Sequence, residues 1–480
     1  MRTPLNPELA DTAHTVRTLD IPRLDPRPSS KSLSSLNPAT LGQIGTVAIT
    51  TATQVDGMVA RAHGAFAAWR TDREARRRFL TDCARELYRS AGTLAPLLTM
   101  EQGKPLDESD GEIRLAAKYL AEAAHADWDD DAPAHTYDER SAVVEHRPVG
   151  VVAVLVPWDL PILRMAAKIG PALVTGNTVV VEPPCTVALS VARAVDILKA
   201  VLPEGVLDIA VGTREAHSPL VAHPKIRRIS YVGSRGGART IISHAARFLT
   251  PVAATTACGG TALLLPDADA ENAATALAEC AFANSGQTLC APKSAYVPAD
   301  MVDAFCEAFS EAMRTLTVGD GMDPETTVGP QHSSHQLSIA EDLLCQSIAA
   351  GSTLVVGGGR GTDLPGYFLE PTLLRDNGES TGFEDATKAG PVFTVIGYDD
   401  LDQIVDSVNE HSRGRSASVW GSDLDRTDQV AERIDAESVS VNRHDITDTP
   451  ISFAAGTDTG FGTRDNRATD EFLHFRVIAH

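Results

Sequence analysis

Paired cysteines are missing from this chain. Its seven cysteines show no short paired spacing and no grouping with histidine of the metal-ligand type. The odd total leaves at least one thiol unpaired whatever the others do. We therefore predict reduced thiols, a cytoplasmic location and no metal site.

An excess of positive charge is also missing. The formal net charge is -22, so a polyanion would be repelled from the surface, which excludes nucleic acid as an expected partner. No run of about 18 apolar residues is present to span a bilayer, which excludes a membrane partner. The first 30 residues carry acids and prolines instead of the basic start and apolar core of an export signal.

What is present is enough apolar sequence for a large core. With 480 residues, 43% of them hydrophobic, the chain should form two or three domains. Stretches such as "TQVDGMVARAHGAFAAWR" repeat apolar residues at three and four positions, which predicts helices. The runs "VGVVAVLVPW", "GNTVVVEPP" and "RRISYVGS" alternate with helical segments, which indicates a parallel, doubly wound sheet of the nucleotide-binding type. A second alternating series, from "GGTALLLPDADA" to "ESVSVN", predicts a second α/β domain.

The motifs, taken in order, resemble those of the aldehyde dehydrogenase superfamily. Matching phrases run from about Asn37 to Phe475 and include "NPATLGQIGTV", "EQGKPLDESDGEI", "RPVGVVAVLVPWDLPILRMAAKIGPALVTGNTVVVEPP", "YVGSRGGAR", "NSGQTLCAPKSAYV" and "VSVNRH". The resemblance implies an α/β, aldehyde-dehydrogenase-like fold with a Rossmann-like domain, a second α/β domain and a β-arm for oligomerisation, hence a homodimer or homotetramer. The expected boundaries are 1–33 for a mobile leader, 34–125 and 149–256 for the Rossmann-like domain, 257–446 for the catalytic-type domain, and 126–148 and 447–480 for the arm.

The family's nucleophile position is the first that differs here. Members of the family oxidise an aldehyde on a cysteine thiolate, and a gapless placement of "GQTLCA" puts Leu289 at that position with Cys290 beside it. Leucine cannot attack a carbonyl. Adjacent side chains point to opposite faces of an extended chain and diverge by roughly 100° in a helix. Cys290 is therefore either an inert buried thiol or, if the loop is rebuilt, the nucleophile.

Two further chemical positions differ from the family pattern. The Asn that steadies the oxyanion becomes Asp159 in "PWDL", whose charge would repel the oxyanion unless burial kept the carboxyl protonated and able to donate. The general base becomes Ala257 in "TTACGGT", which accepts no proton. Lys168 in "AAKIGPAL" matches a family lysine and is either an ion-pair partner for Asp159 or a proton-transfer or Schiff-base group.

The positions implied for the cofactor also differ. The family's Lys after the second sheet strand becomes Glu182 in "VVVEPP", and the acid that grips the nicotinamide ribose is lost in "TKAGPV", where Thr387 and Ala389 precede the glycine. The glycine turn of "YVGSRGG" remains, and its backbone N–H groups could meet a phosphate at a helix N-terminus. The candidate cofactor-binding residues are Trp158, Gly233 and Ser234.

These replacements together predict a fold kept for something other than the usual oxidation. The first hypothesis is a non-redox enzyme that acts without a cofactor on a small-molecule carbonyl or imine compound. Its acid/base chemistry would be a cyclisation, dehydration or condensation, with Asp159 as the catalytic group, assisted by Lys168 or Cys290. The second is a pseudoenzyme kept for oligomerisation or for holding a partner enzyme. The third is a working dehydrogenase that binds NAD or NADP and uses Cys290 through a rearranged loop.

Overall fold

A computed structural model describes the chain at residues 31–128, 131–137, 140–212, 219–256, 259–376, 390–412, 414–444, 460–461 and 468–479. Its strands are β1 (Ser32–Leu36), β2 (Gln43–Ala48), β3 (Asp131–Tyr137), β4 (Arg140–Pro148), β5 (Val151–Leu155), β6 (Thr178–Glu182), β7 (Leu207–Ile209), β8 (Ile226–Gly233), β9 (Val252–Thr256), β10 (Gly260–Leu264), β11 (Pro292–Pro298), β12 (Thr353–Val356), β13 (Thr372–Asp376), β14 (Val392–Tyr398), β15 (Gly414–Trp420), β16 (Ala436–Val441), β17 (Gly460–Phe461) and β18 (Leu473–Ala479). Its helices are α1 (Ala52–Trp69), α2 (Arg73–Arg89), α3 (Ala91–Gln102), α4 (Leu106–His125), α5 (Pro161–Val174), α6 (Ala188–Lys199), α7 (Arg235–Ala245), α8 (Ala270–Phe282), α9 (Val302–Met313), α10 (Ser334–Ala349), α11 (Leu401–Ser412) and α12 (Leu424–Ala431).

A mainly parallel sheet organises the first half of the chain. Within the described residues it has six strands in the order β17-β9-β8-β5-β6-β7, and only β17, at one edge, is antiparallel to its neighbour. All residues of Val151–Leu155 in β5 are buried, as expected for a central parallel strand covered on both faces. The strand order reverses between β5 and β8, and such a switch point opens a ligand crevice at the carboxyl ends of the strands.

A second sheet organises the C-terminal half. The described part of this sheet has seven strands in the order β12-β13-β14-β11-β10-β15-β16, all parallel except the edge strand β12. Phe305 and Phe309 of α9 pack with Phe282 of α8 and Phe393 of β14 in its core. Each such buried aromatic side chain contributes about 1.5–3 kcal/mol to folding. Both sheets agree with the two α/β layers predicted from the strand and helix patterns.

A smaller antiparallel sheet has the order β18-β4-β3. β18 pairs with β4 from Leu473 opposite Pro148 to Ala479 opposite Ala142. These strands lie in the segments predicted for the oligomerisation arm, whereas β17, in the same predicted range, joins β9. The domain boundaries remain a prediction.

The described residues contain no helix that is long and apolar enough to cross a membrane. They also contain no group of three or more His, Cys, Asp or Glu side chains that could hold a metal ion. The expected lack of membrane and metal partners stays a prediction.

Candidate active site

Candidate residues from two motifs lie at the carboxyl ends of β5 and β8, where the strand order reverses. β5 leads directly into the loop with Trp158 and Asp159, while β8 ends at Gly233 and is followed by Ser234. Parallel strands present their carboxyl ends at one edge of the sheet, so these four residues lie around one crevice. The structure thus brings together two motifs that are about 75 positions apart in the sequence.

Leu289 and Cys290 lie in the centre of a turn. The Ala291 N–H donates to the Thr288 carbonyl at 3.3 Å and closes the turn around them. Both side chains are buried, and both belong to one small apolar cluster with Val232, the last residue but one of β8. The offset of one residue therefore does not carry Cys290 to the opposite face, because this segment is neither extended nor helical. This turn, residues 288–291, lies near the end of β8.

A left-handed stretch directs the chain into this turn. Asn284 and Ser285 have φ values of 51° and 55°, a conformation that costs L-residues about 1–2 kcal/mol each. The Asn284 side chain ties this stretch down, since its Nδ2 donates to the Asp159 carbonyl at 2.8 Å and its Oδ1 accepts from Gln102 Nε2 at 2.9 Å. The strained stretch is therefore fixed against the loop that carries Asp159.

A buried ion pair contacts the Asp159 loop and the start of α5. Lys104 and Glu112 form this pair, with side chains only 0% and 1% exposed. Lys104 Nζ also lies 3.4 Å from the Asp159 carbonyl, while Glu112 Oε1 accepts from the N–H groups of Ile162 and Leu163 at 2.7 and 3.0 Å. A carboxylate at the first turn of a helix is favoured by the helix dipole. The pair thus fixes the start of α5 and the fully buried Asp159 that precedes it.

Trp158 has an aromatic partner in the described structure. Its ring stacks on the His332 ring, with 3.7 Å between centroids and an interplanar angle of 4°. The backbone N–H of His332 donates to Gln287 Oε1 at 3.0 Å. Gln287 Nε2 in turn donates to the Asn284 carbonyl at 3.1 Å. Trp158 is therefore linked to the segment that leads to Cys290.

Lys168 binds a different acid from the one expected. Its Nζ lies 2.8 Å from Glu471 Oε2, and both side chains are largely buried. The predicted pairing with Asp159 is not formed, because Lys168 is two turns further along α5 and faces the 3-10 helix Asp470–Phe472. An ammonium group held by a carboxylate is a poor nucleophile. The geometry therefore favours an anchoring role for Lys168 over Schiff-base chemistry.

Lys293, three residues after Cys290, is a buried lysine that sequence reasoning missed. Its Nζ donates to the carbonyl of Gly390 at 2.9 Å and also to that of Gly286. Burial lowers its pKa from 10.5 to about 7. The side chain therefore connects Gly286, which follows the left-handed stretch, to Gly390.

The glycine turn after β8 has a defined shape. Ser234 Oγ accepts from the Gly237 N–H at 3.1 Å and caps α7, a helix of 11 residues. Tyr231 Oη donates to the Ser234 carbonyl at 3.1 Å and covers the turn. A Cβ at Gly233 would lie 2.3 Å from this hydroxyl, so the glycine allows the phenol to approach the backbone. The turn offers a phosphate group a helix N-terminus at the crevice.

The other cofactor positions are only partly within the described residues. Glu182 ends β6, and its Oε1 would lie 2.9 Å from a Cβ at Gly212. Its carboxylate therefore lies at the same edge of the sheet as Gly233, as its place in the sequence predicts. Ala257, Thr387 and Ala389 fall outside the described residues.

An unsatisfied side chain tests whether a dinucleotide fits here. Gln336, in the first turn of α10, has a buried Oε1 with no hydrogen-bond partner among the residues described. Such an atom costs about 1–3 kcal/mol when left unpaired. A ribose hydroxyl or a carboxamide is a donor of the required kind, and the α7 N-terminus suits a phosphate. The described residues therefore include two groups of the kind that a dinucleotide binds, the Gln336 amide oxygen and the α7 N-terminus, whereas Glu182 adds a negative charge.

Residues 26–478 match the aldehyde dehydrogenase family. The chain belongs to this family. It is 30% identical to a mitochondrial succinate-semialdehyde dehydrogenase from Arabidopsis thaliana, over 94% of this chain and 86% of that protein. It is 27% identical to a glutarate-semialdehyde dehydrogenase from Pseudomonas putida, over 94% of each chain.

Solved structures of the family superpose closely on this chain. A mutant aldehyde dehydrogenase C from Pseudomonas syringae, in complex with NAD+ and octanal, gives a TM-score of 0.88 at 28% identity, covering 95% of this chain and 94% of that one. A Mycobacterium tuberculosis aldehyde dehydrogenase complexed with NAD+ also gives 0.88, at 26% identity and 95% coverage of both chains. The predicted fold is confirmed.

The same relatives contradict the first two functional hypotheses. They carry the names of semialdehyde dehydrogenases, so the non-redox enzyme and the pseudoenzyme are wrong. The expectation of no cofactor is wrong as well, since two solved relatives are NAD+ complexes. Cys290 was expected to face away from the position of Leu289, whereas the structure places both side chains in one buried cluster with Val232.

Most of the supporting residues could not be recognised from single motifs. "EQGKP" contains Gln102 and Lys104, and "NSG" contains Asn284, but their hydrogen bonds cross more than 50 positions of sequence. A signal was available for Lys293, because a lysine that opens an otherwise apolar strand must find partners when buried. No local pattern indicates the contact between Trp158 and His332.

Proposed function

We propose that the protein is an NAD(P)-dependent aldehyde dehydrogenase with Cys290 as its nucleophile. The observation that carries the proposal is the turn that places Cys290 beside Val232 at the end of β8, next to the glycine turn. We infer that an aldehyde bound to this thiol would meet a cofactor held at the glycine turn. The names of the relatives support the same reaction.

We assign the steps of the oxidation to individual residues, beginning with Cys290 and Asp159. The Cys290 sulfur, once deprotonated, adds to the aldehyde carbon, and the carbonyl oxygen becomes an oxyanion. We assign the contact with this oxyanion to Asp159, which can stabilise it only by donating a proton or a hydrogen bond. NAD(P) held at the crevice edge would supply the acceptor for the hydride, so that Cys290 would be left as a thioester. Water then cleaves the Cys290 thioester to give the acid and the free thiol.

Hydrolysis of the thioester should be the slow step. The family's general base is replaced by Ala257, which cannot take a proton from water. General-base catalysis contributes typically about 100-fold to 10,000-fold. We therefore expect the acylated Cys290 to accumulate during turnover.

The cofactor would be held by the groups at the crevice edge. Gly233 and Ser234 offer backbone N–H groups to phosphate, and the stacked Trp158 forms part of the wall. Glu182 places a carboxylate at the end of β6, which opposes a further negative charge there. We therefore propose a preference for NAD over the additional phosphate of NADP.

Arg164 favours an aldehyde that also carries a carboxylate. It lies in the first turn of α5, five residues after Asp159, and its Nε and Nη2 are buried without a hydrogen-bond partner among the described residues. A guanidinium group pairs well with a carboxylate through two parallel hydrogen bonds. The names of the semialdehyde dehydrogenase relatives agree with such a substrate.

The test follows NAD(P)H formation by absorbance, with succinate semialdehyde and with octanal as substrates. We expect oxidation with NAD, a lower KM for succinate semialdehyde than for octanal, and no activity in Cys290→Ala. Cys345→Ala removes an exposed thiol on α10 and should keep the wild-type rate. Full activity in Cys290→Ala would refute the nucleophile, and no oxidation by the wild type with either cofactor would refute the dehydrogenase.

A further inference from the structure

We propose that His444 is a positioning residue that holds the Cys290 turn in its reactive shape through the Cys290 carbonyl. The inference rests on the proposed use of Cys290 as nucleophile. Since the family's nucleophile position is Leu289 in this chain, presenting Cys290 requires a turn with its own support. His444 lies about 150 positions away in the sequence and reaches that turn directly, with Nε2 3.0 Å from the Cys290 carbonyl oxygen.

The neighbours of His444 select one tautomer. A carbonyl oxygen only accepts, so Nε2 carries the proton and donates it to Cys290. Nδ1 is then an acceptor, and Ser418 Oγ donates to it at 2.8 Å. Ser418 Oγ accepts in turn from Trp420 Nε1 at 2.9 Å. The chain of donors from Trp420 through Ser418 and His444 therefore ends on the Cys290 carbonyl.

The backbone around His444 is fixed as well. Cys280 Sγ lies 3.4 Å from the His444 carbonyl. Two residues earlier, Asn442 has a φ of 53° and exchanges two hydrogen bonds of 2.9 Å with the Gly421 backbone. The imidazole is buried. His444 is thus a rigid support whose N–H points at one carbonyl.

Gly260 provides the space for this contact. A Cβ at this position would lie 2.4 Å from His444 Nε2 and 2.8 Å from the Cys290 carbonyl oxygen. The Gly260 N–H donates to the Ala291 carbonyl at 2.9 Å, so β10 also supports the peptide next to Cys290. Any larger residue at position 260 would separate His444 from the turn. The close approach is therefore built into three separate segments.

The hydrogen bond from His444 to the Cys290 carbonyl is shorter than the one from Ser416, a second contact seen among the described residues. Ser416 Oγ also approaches, but at 3.5 Å, the outer limit for a hydrogen bond. Without the His444 N–H, the peptide that follows Cys290 could rotate, and the side chain would move with it. A displacement of about 1 Å costs a reacting group on the order of 100-fold in rate.

The test compares three variants of the full-length protein. His444→Phe keeps a ring but has no donor, whereas His444→Gln keeps an N–H that can reach the carbonyl. Ser418→Ala removes the hydroxyl that orients Nδ1 and serves if His444→Phe does not fold. Tyr398→Phe is the matched control, because it deletes one buried hydrogen bond of 2.6 Å to the Leu264 carbonyl in the same sheet without touching Cys290.

Two readouts separate positioning from general destabilisation. We expect His444→Phe to lower kcat for succinate semialdehyde on the order of 100-fold, with the KM for NAD unchanged, and His444→Gln to recover most of the loss. In the absence of cofactor, the rate at which iodoacetamide alkylates Cys290, followed by peptide mass spectrometry, should rise about tenfold or more in His444→Phe, because a loosened turn exposes the buried thiol. Tyr398→Phe should change neither.

The outcomes are distinguishable from failure of the proposed function. If the wild type oxidises aldehydes through Cys290 but kcat and alkylation in His444→Phe stay within twofold of wild type, the positioning role is refuted. The same holds if Tyr398→Phe matches His444→Phe in both readouts. If the wild type shows no oxidation, the dehydrogenase proposal fails, and the alkylation rates alone still decide whether His444 holds the Cys290 turn.

Discussion

At the scale of single residues, the thiol that we propose as the nucleophile is displaced by one position from the family pattern. Leu289 takes the usual place and Cys290 follows it, yet both side chains belong to one buried cluster with Val232. A turn changes the direction of the chain between neighbours, so a displaced nucleophile can still reach the crevice. The same reasoning makes Asp159 the most unusual residue of the site, since a carboxyl replaces the neutral amide.

Two substitutions distinguish hydrogen-bond donation by Asp159 from the effect of its negative charge. Asp159→Asn keeps a hydrogen-bond donor, so we expect kcat to stay within about threefold of wild type or to rise. Asp159→Ala removes the donor and should lower kcat by about 100-fold to 1,000-fold, the usual effect of losing one oxyanion contact. Steady-state kinetics on both variants checks this. Equal inactivity of the two would show instead that the carboxyl must exchange a proton.

At the scale of elements, Lys293 joins the start of β11 to the chain at Gly390. Burial lowers its pKa to about 7, while an unfolded lysine keeps its proton to about pH 10.4. Between these values the unfolded state binds more protons, so the free energy of unfolding rises with pH by up to about 1.4 kcal/mol per unit. Below about pH 7 the contribution is constant.

Lys293→Met should remove this pH dependence. Urea unfolding at about pH 7 and about pH 9 is expected to show a difference in stability between wild type and variant that grows with pH, because only the wild type releases a proton on folding in that range. Lys118→Met, at an exposed lysine of α4, is the control and should show no such trend. A difference that stays constant between the two pH values would contradict the account of Lys293.

The strands and motifs of the fold could be predicted from sequence, and the long-range contacts could not. Apolar runs such as Val151–Leu155 predict a buried parallel strand directly. The direction of Cys290 could not be predicted, because it depends on a turn closed between Thr288 and Ala291. The pairing of Lys168 with Glu471 joins residues 303 positions apart, which no local pattern encodes.

At the scale of the whole molecule, β18 is an edge strand of the small antiparallel sheet within the part of the chain that the structure describes. Its Phe475 and Val477 are 69% and 54% exposed in the single chain. An apolar edge strand of this kind pairs with other chains unless it is covered. We therefore predict a homodimer or homotetramer that buries this strand.

Light scattering with size-exclusion chromatography checks the assembly. Wild type should elute as a dimer or tetramer of the 50.9 kDa chain, and Phe475→Asp should shift it toward the monomer, since a buried charge at the interface is costly. Leu424→Asp, at an exposed apolar position of α12 outside the predicted arm, should leave the assembly unchanged. A wild-type monomer at micromolar concentration would refute the prediction.

Cys290 should form the covalent intermediate of an NAD(P)-dependent oxidation, and peptide mass spectrometry can detect that intermediate. The protein is mixed with NAD and succinate semialdehyde, quenched in acid during turnover and digested, and fragment spectra locate the adduct among Cys258, Cys280 and Cys290. Because Ala257 cannot activate water, the account predicts that the acyl group accumulates as a thioester on Cys290. Turnover with no acylated cysteine, or with the acyl group on another thiol, would contradict it.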